Sequence, residues 1–171
     1  MSLALALFPI VGVSWLDAQE FVKWLNATKI DVEGQYTLLG EAQWEYAARA
    51  GQCGKWGHGD DEGRLIEYAW YSKNGNNSTH EVELLKSNAF GLHDMQGNVG
   101  EWVQDCYHSD YWGAPKDGSA WYKNCRRDKS RVLRGGSWLE DAFEMSVTKR
   151  IFKEPEYCDS NFGFRVARSL L

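Results

Sequence analysis

The chain has 171 residues and a formal charge of −5, enough length for one domain with its own core and none of the basic excess of a general nucleic-acid binder. It carries Trp 9, Tyr 8 and Phe 7 beside Gly 17 and only Pro 3. That mix argues against disorder and suits a loop-rich fold with glycine turns and large rings in its core.

The apolar opening Leu3–Val13 is interrupted by Pro9 and is too short to cross a bilayer. It lacks a basic flank and a small-residue cleavage site, so neither a signal peptide nor membrane insertion is expected. Ser14-Trp15-Leu16-Asp17 reads as a helix start, a hydroxyl cap with an acid three residues on. Ala18, Phe21, Val22 and Leu25 form its apolar stripe. Tyr36-Thr37-Leu38-Leu39 reads as a short strand, and Glu41–Ala50 as a second helix that turns Trp44, Ala47 and Ala48 inward and stops at Gly51. Residues 51–87 show no sustained period and are expected to be loops with short strands. Strand-like runs follow at Trp102-Val103-Gln104, Val132-Leu133-Arg134 and Phe164-Arg165-Val166. Two helices and then scattered strands predict a single α+β domain.

The basic run Cys125–Arg131 reads as a solvated loop. Cys53, Cys106, Cys125 and Cys158 contain no C-x-x-C pair, which argues against a zinc ribbon or a thioredoxin-like site. Cys106 and Cys125 flank a long loop and are either disulfide-bonded or, with the other two, free thiols. Gly135-Gly136 allows positive φ and a sharp bend, without the spacing of a phosphate loop.

Several blocks carry a family resemblance: Gly40-Glu41-Ala42-Gln43-Trp44-Glu45-Tyr46-Ala47-Ala48-Arg49, Asn88-Ala89-Phe90-Gly91-Leu92-His93-Asp94-Met95-Gln96-Gly97-Asn98, Asn98-Val99-Gly100-Glu101-Trp102, Arg131-Val132-Leu133-Arg134-Gly135-Gly136-Ser137-Trp138, and Asn161-Phe162-Gly163-Phe164-Arg165. Together they resemble the formylglycine-generating-enzyme (sulfatase-modifying factor) family over about Pro9 to Arg168. The resemblance implies a C-type-lectin-like α+β fold, with residues 1–8 as an extension and 9–171 as the domain. The family favours Trp where this chain has Gly100.

Catalytic members carry two cysteines after the Arg-Gly-Gly-Ser block, because soft thiolates hold copper(I). Residue by residue, those positions fall on Glu140 and Met145. The resemblance therefore implies the scaffold without copper and without enzymatic activity, although Ser137 is retained. A second branch uses iron on a histidine motif, and His58, His80, His93 and His108 lack that spacing. The family's calcium turn, carried over, falls on Asp94, Gly97, Val99 and Glu101, a set of hard oxygen donors in a tight turn. The alternative is that Asp94 caps the turn while Glu101 pairs with an arginine.

The segment 139–162 resembles the variable region of proteins rewritten by diversity-generating retroelements, with Arg150 and Pro155 in matching places. That likeness implies an exposed face binding a protein or other macromolecular ligand, with no nucleic acid as partner. Its expected members are Leu139, Glu140, Asp141, Phe143, Glu144, Lys149, Ile151, Phe152, Lys153, Tyr157 and Asp159. Large apolar side chains in a loop usually mark an interaction site. The competing readings are that Phe143 and Ile151 are core, and that the chain is an inactive family domain serving as sensor or adaptor in a larger protein. Formylglycine generation is the remaining alternative.

Overall fold

The structure is a computed structural model that describes residues 7–28, 33–125 and 129–169. Helix α1 spans Trp15–Thr28 and begins as its sequence predicts. The Ser14 hydroxyl accepts from the Asp17 N–H at 3.1 Å, and the Ser14 N–H donates to the Asp17 carboxylate at 2.9 Å. This reciprocal cap satisfies two amides that the helix itself cannot. Ala18 and Val22 are buried, but Phe21 is not. It sits at the helix margin with its ring 5.5 Å from Phe164 and 5.6 Å from Trp24.

Strand β1 (Tyr36–Leu38) leads into helix α2 (Glu41–Arg49). Here the start is capped from afar: the Asp105 carboxylate accepts the Glu41 N–H at 2.7 Å. A carboxylate at this end also suits the helix dipole. Ala50 turns left-handed at φ 45°, one residue before the expected glycine stop. Residues 51–87 hold a 3-10 helix, Glu62–Glu67, that the pattern did not announce, and no named strand.

Strands β2 (Gly100–Cys106), β3 (Arg131–Arg134), β4 (Ile151–Lys153) and β5 (Phe162–Gly163) form a sheet in the order β4-β3-β2-β5. β3 is antiparallel to β2 and β4, and β5 is parallel to β2. β6 (Val166–Arg168) pairs antiparallel with β1 in a separate ribbon, Leu38 opposite Val166. The expected strand at 164–166 is therefore replaced by β5 and β6, with Phe164 and Arg165 between them. The break has a cause: Arg165 turns its guanidinium onto Glu101 of β2, and the chain leaves one sheet for the other there.

Alternation along β2 and β3 divides the interior. Trp102 and Leu133 pack with Ala18, Val22, Leu38 and Phe162, on the α1 side. Val103 and Val132 face the other way and pack with Trp44, Ala48, Met95 and Val147. A third cluster joins Trp56, Leu65, Ala69, Tyr71 and Met145. Where the family favours Trp, Gly100 leaves room for β5: a Cβ there would stand 3.3 Å from the Phe162 ring. Cys106 and Cys125 form a disulfide, while Cys53 and Cys158 are free and exposed. Of the basic run, residues 126–128 lie outside the described residues, as do 1–6 of the N-terminal extension. No helix among the described residues is long and apolar enough to cross a membrane.

Candidate binding face and metal turn

Two buried ionic frames position everything at the C-terminal end of the sheet. In the first, Glu41 is gripped by Arg150 through a fork of 2.6 and 2.8 Å, with Arg134 3.5 Å away. Arg134 also reaches Glu45 and the Lys149 carbonyl, each at 2.5 Å. Paired donors on a carboxylate give direction as well as energy. Arg150, quoted from the sequence as a mark of the variable region, is thus a tie to α2 rather than a displayed side chain. Pro155, the other mark, is buried, and its carbonyl accepts the Leu16 N–H at 3.2 Å.

In the second frame Glu101 accepts from Arg165 at 2.6 and 2.8 Å and from the Trp44 indole at 2.7 Å. Burial alone would lower the Arg165 pKa, and the Glu101 charge and hydrogen bonds raise it instead. Of the expected calcium ligands, Glu101 is therefore already committed to a cation. Asp94 is different. Its Oδ2 accepts the Glu83 N–H at 2.9 Å, while its buried Oδ1 has no hydrogen-bond partner. Burial pushes the Asp94 carboxyl up, against the pull of the Glu83 amide and Arg165. Asp94, Gly97 and Asn98 all have positive φ, so the turn is tightly folded around that oxygen. No group of three His, Cys, Asp or Glu side chains among the described residues could hold a metal ion. An ion at this turn would need the Gly97 and Val99 carbonyls as well. The orphaned Asp94 oxygen fits a hard cation, while the Arg165 fork on Glu101 competes for the second carboxylate.

The positions that would carry the family's thiolates hold other side chains in other surroundings. Met145 is fully buried in the third core cluster. Its partner in the bend is Gly136 (φ +67°), where a Cβ would approach the Met145 Cε to 2.2 Å. A side chain at 136 would therefore require the end of the Met145 side chain to shift. Glu140 is half-buried and its carboxylate accepts from the Ser137 hydroxyl and, at 3.3 Å, from the Asn161 amide. The site is thus a carboxylate–hydroxyl–amide cluster beside a methionine-filled core.

The other expected face residues fall into local groups. Phe143 is 61% exposed, with Lys149 and Lys55 over its ring at 5.0 and 5.2 Å. Lys149 also pairs with Glu144 at 2.7 Å. The Asp141 carboxylate accepts the Phe143 and Glu144 amides, so its role is turn-making. Leu139 is exposed beside this group in sequence. On β4, Phe152 stacks on Tyr107 at 4.0 Å. Further on, Lys153 lies over the Tyr157 ring at 4.8 Å, and the Tyr157 hydroxyl donates to Asp159 at 3.1 Å. Ile151 is the correction: it is half-buried against the α1-side core. Met145, Ser146, Val147 and Pro155 are buried, and Leu139, Phe143, Phe152 and Tyr157 are exposed. The segment alternates anchors with displayed side chains.

Sequence reasoning missed the aromatic loop between Cys106 and Cys125. Its Trp112 is 92% exposed and its Tyr122 58%. The signal was present as a run of rings between two bonded cysteines.

The Sulfatase-modifying factor enzyme 1-like domain family matches residues 3–170. The formylglycine-generating enzyme of Streptomyces coelicolor is 32% identical over 93% of this chain and 52% of its own length. The inactive C-alpha-formylglycine-generating enzyme 2 of Bos taurus is 31% identical over 94% of this chain and 50% of its own. Serine/threonine-protein kinase Pkn1 of Chlamydia trachomatis is 30% identical over 95% of this chain and 24% of its own. The chain thus spans about half the length of the formylglycine-generating relatives and about a quarter of the kinase. Among solved structures, PvdO from Pseudomonas aeruginosa has a TM-score of 0.84 at 38% identity, covering 95% of this chain and 62% of that one. Treponema denticola variable protein 1 has a TM-score of 0.79 at 28% identity, covering 95% and 71%. On the match of nearly its whole length and on the fold it shares, the chain belongs to the formylglycine-generating-enzyme-like (sulfatase-modifying factor) family, with that family's C-type-lectin-like α+β fold.

Proposed function

We propose that this chain is a non-catalytic ligand-binding domain. It displays side chains of the segment 139–159 to a protein or other macromolecular partner. The observation that carries the reading is the fate of the two thiolate positions. Met145 is core, and Glu140 is tied to Ser137 and Asn161. Soft-metal chemistry needs sulfur ligands at those places. Large side chains stand outward between buried anchors on the same segment, as in a binding surface on a fixed frame. The likeness to Treponema denticola variable protein 1 supports a segment rewritten by a retroelement.

Two measurements test this. Incubation with a sulfatase-motif peptide and copper(I), read by mass spectrometry, should give no conversion of cysteine to aldehyde, and conversion would overturn the non-catalytic reading. The coding DNA should include a near-copy of the Arg131–Arg168 region that differs at adenines, beside a reverse-transcriptase gene. Without such a copy the display face is fixed, and the second reading takes over: an adaptor or sensor domain within a larger chain, favoured by the small share of the Pkn1 kinase that this chain matches.

The same reading includes a weak structural calcium ion on Asp94, the Gly97 and Val99 carbonyls and Glu101. Its support is the buried, unpartnered Asp94 Oδ1, and its work is to fix the turn rather than to take part in chemistry.

A further inference from the structure

We propose a second binding site on the disulfide-closed loop between Cys106 and Cys125, one that takes a neutral oligosaccharide. The loop holds two open clefts of about 330 and 460 Å³ that share Trp121 and Asn124 in their linings. The first has Trp112 and Trp121 as aromatic walls, and the second has Trp121 and Tyr122. Polar groups stand between the rings: Ser109 and Asp110 in the first cleft, Ser119 in the second.

Trp112 and Tyr122 are exposed and Trp121 is half-buried, all on a braced loop. Besides the disulfide, the Asp105 carboxylate accepts the Trp121 N–H at 2.7 Å. The His108 ring reaches the Cys106 and Lys123 carbonyls at 3.1 and 3.0 Å, and so ties the loop's start to its end. That imidazole stacks on Trp121 at 3.5 Å with planes 3° apart. The Arg150 guanidinium donates to the His108 carbonyl at 2.8 Å. A platform fixed in advance loses little freedom on binding.

The chemistry of the groove selects its ligand class. Within residues 107–124, Asp110 and Asp117 are balanced by Lys116 and Lys123. Within those residues the charges cancel, so the loop itself holds no cation cluster to favour phosphate or nucleic acid, and Asp117 is taken up by Ser119. A pyranose offers an apolar C–H face and a rim of uncharged hydroxyls. Flat aromatic walls cover the first and interspersed amide, hydroxyl and carboxylate groups meet the second. Rings parted by open clefts suit a thin ligand better than the continuous apolar patch of a protein interface.

The test is a titration of the whole chain with chitotetraose, cellotetraose and maltotetraose, read by tryptophan fluorescence and by calorimetry. At least one should bind, and Trp112→Ala should weaken it about tenfold or more, the scale of a truncated binding anchor. Trp112 is exposed, so its removal should leave the melting temperature unchanged; Phe143→Ala should leave the affinity unchanged. No binding of any of the three overturns the proposal, as does binding indifferent to Trp112→Ala. Carboxymethylated α-lactalbumin, an extended polypeptide, is the competing probe: if it alone perturbs the loop tryptophans, the groove is a peptide site and the proposal fails.

Discussion

The two halves of the C-terminal region are held by opposite means. The walls, β2, β3 and the Gly163–Arg165 turn, are fixed by long-range buried charge: Glu41 with Arg134 and Arg150, and Glu101 with Arg165 and Trp44. The segment between them, 139–159, is pinned at separate anchors, Arg150 on Glu41, Val147 on Lys55 and Pro155 on Leu16, and between those anchors it is shaped by short-range bonds. Asp141 makes its own turn, Lys149 pairs with Glu144, and Ser146 meets Thr148. A buried ion frame tolerates little change because a lost partner leaves a charge uncompensated. Local turns tolerate outward substitution because the bonds use backbone amides and small polar groups. The comparison teaches that buried anchors and outward-facing side chains are different residues even where they are neighbours in sequence.

The strongest attempt to break that division is Glu41→Ala. It would leave Arg150 without a carboxylate and fully buried Arg134 with Glu45 alone, and should cost about 3–5 kcal/mol of unfolding free energy. Urea denaturation measures it. A loss below about 1 kcal/mol, the value of an exposed pair, would show that the frame is decoration.

Within the segment itself the contrast should be as sharp. Met145→Ala removes a side chain with no exposed surface and should cost about 2–5 kcal/mol. Phe143→Ala, two residues earlier, should stay within about 0.5 kcal/mol. Equal costs for the two would mean that Phe143 packs in solution and is not displayed.

Much of this frame was legible in the sequence. The Ser14–Asp17 cap, the inward Trp44 and Ala48, and the strand at Trp102-Val103-Gln104 follow from sequence pattern alone. The break at Phe164–Arg165 was not, because a short β-like run does not reveal that its arginine will reach a glutamate on another strand. The role of Arg150 was hidden for the same reason: its partner lies on α2, far away in sequence. Ile151 and Phe143 look alike as letters, and only strand register separates them, placing Ile151 opposite Leu133 of the core. At Glu101 the structure shows the pairing with an arginine that was the alternative to calcium, and Asp94 takes the Glu83 amide on one oxygen while its Oδ1 has no hydrogen-bond partner.

Calcium sharpens the comparison at a smaller scale. Its turn lies on the wall side and shares Glu101 with Arg165, so affinity in the weak range of about 10⁻⁴–10⁻³ M is expected. At a concentration a few times that constant, stabilisation is near 1 kcal/mol. Differential scanning fluorimetry in 5 mM calcium (roughly the concentration that the expected affinity calls for) against chelator should show a small rise in melting temperature that Asp94→Ala abolishes. Identical melting in both buffers would remove calcium from the account.

The smallest effect concerns Asp105, the carboxylate that caps α2 and also takes the Trp121 amide of the aromatic loop. Burial pushes its pKa up, and the Trp121 and Glu41 amides oppose the shift without cancelling it. The folded chain therefore holds this proton more tightly than the unfolded one. For such a group, stability is greatest below the unfolded pKa and declines as pH rises through the folded one. Asp105→Asn removes that dependence, and with it one of the two acceptor oxygens. Relative to the variant, the wild-type chain should gain stability as pH falls from 7 into the carboxylate range, by about 1 kcal/mol or less. Paired urea titrations across that range measure the difference. A gap between the two proteins that widens with rising pH in favour of the wild type would mean that the capping bonds outweigh burial and hold Asp105 ionised.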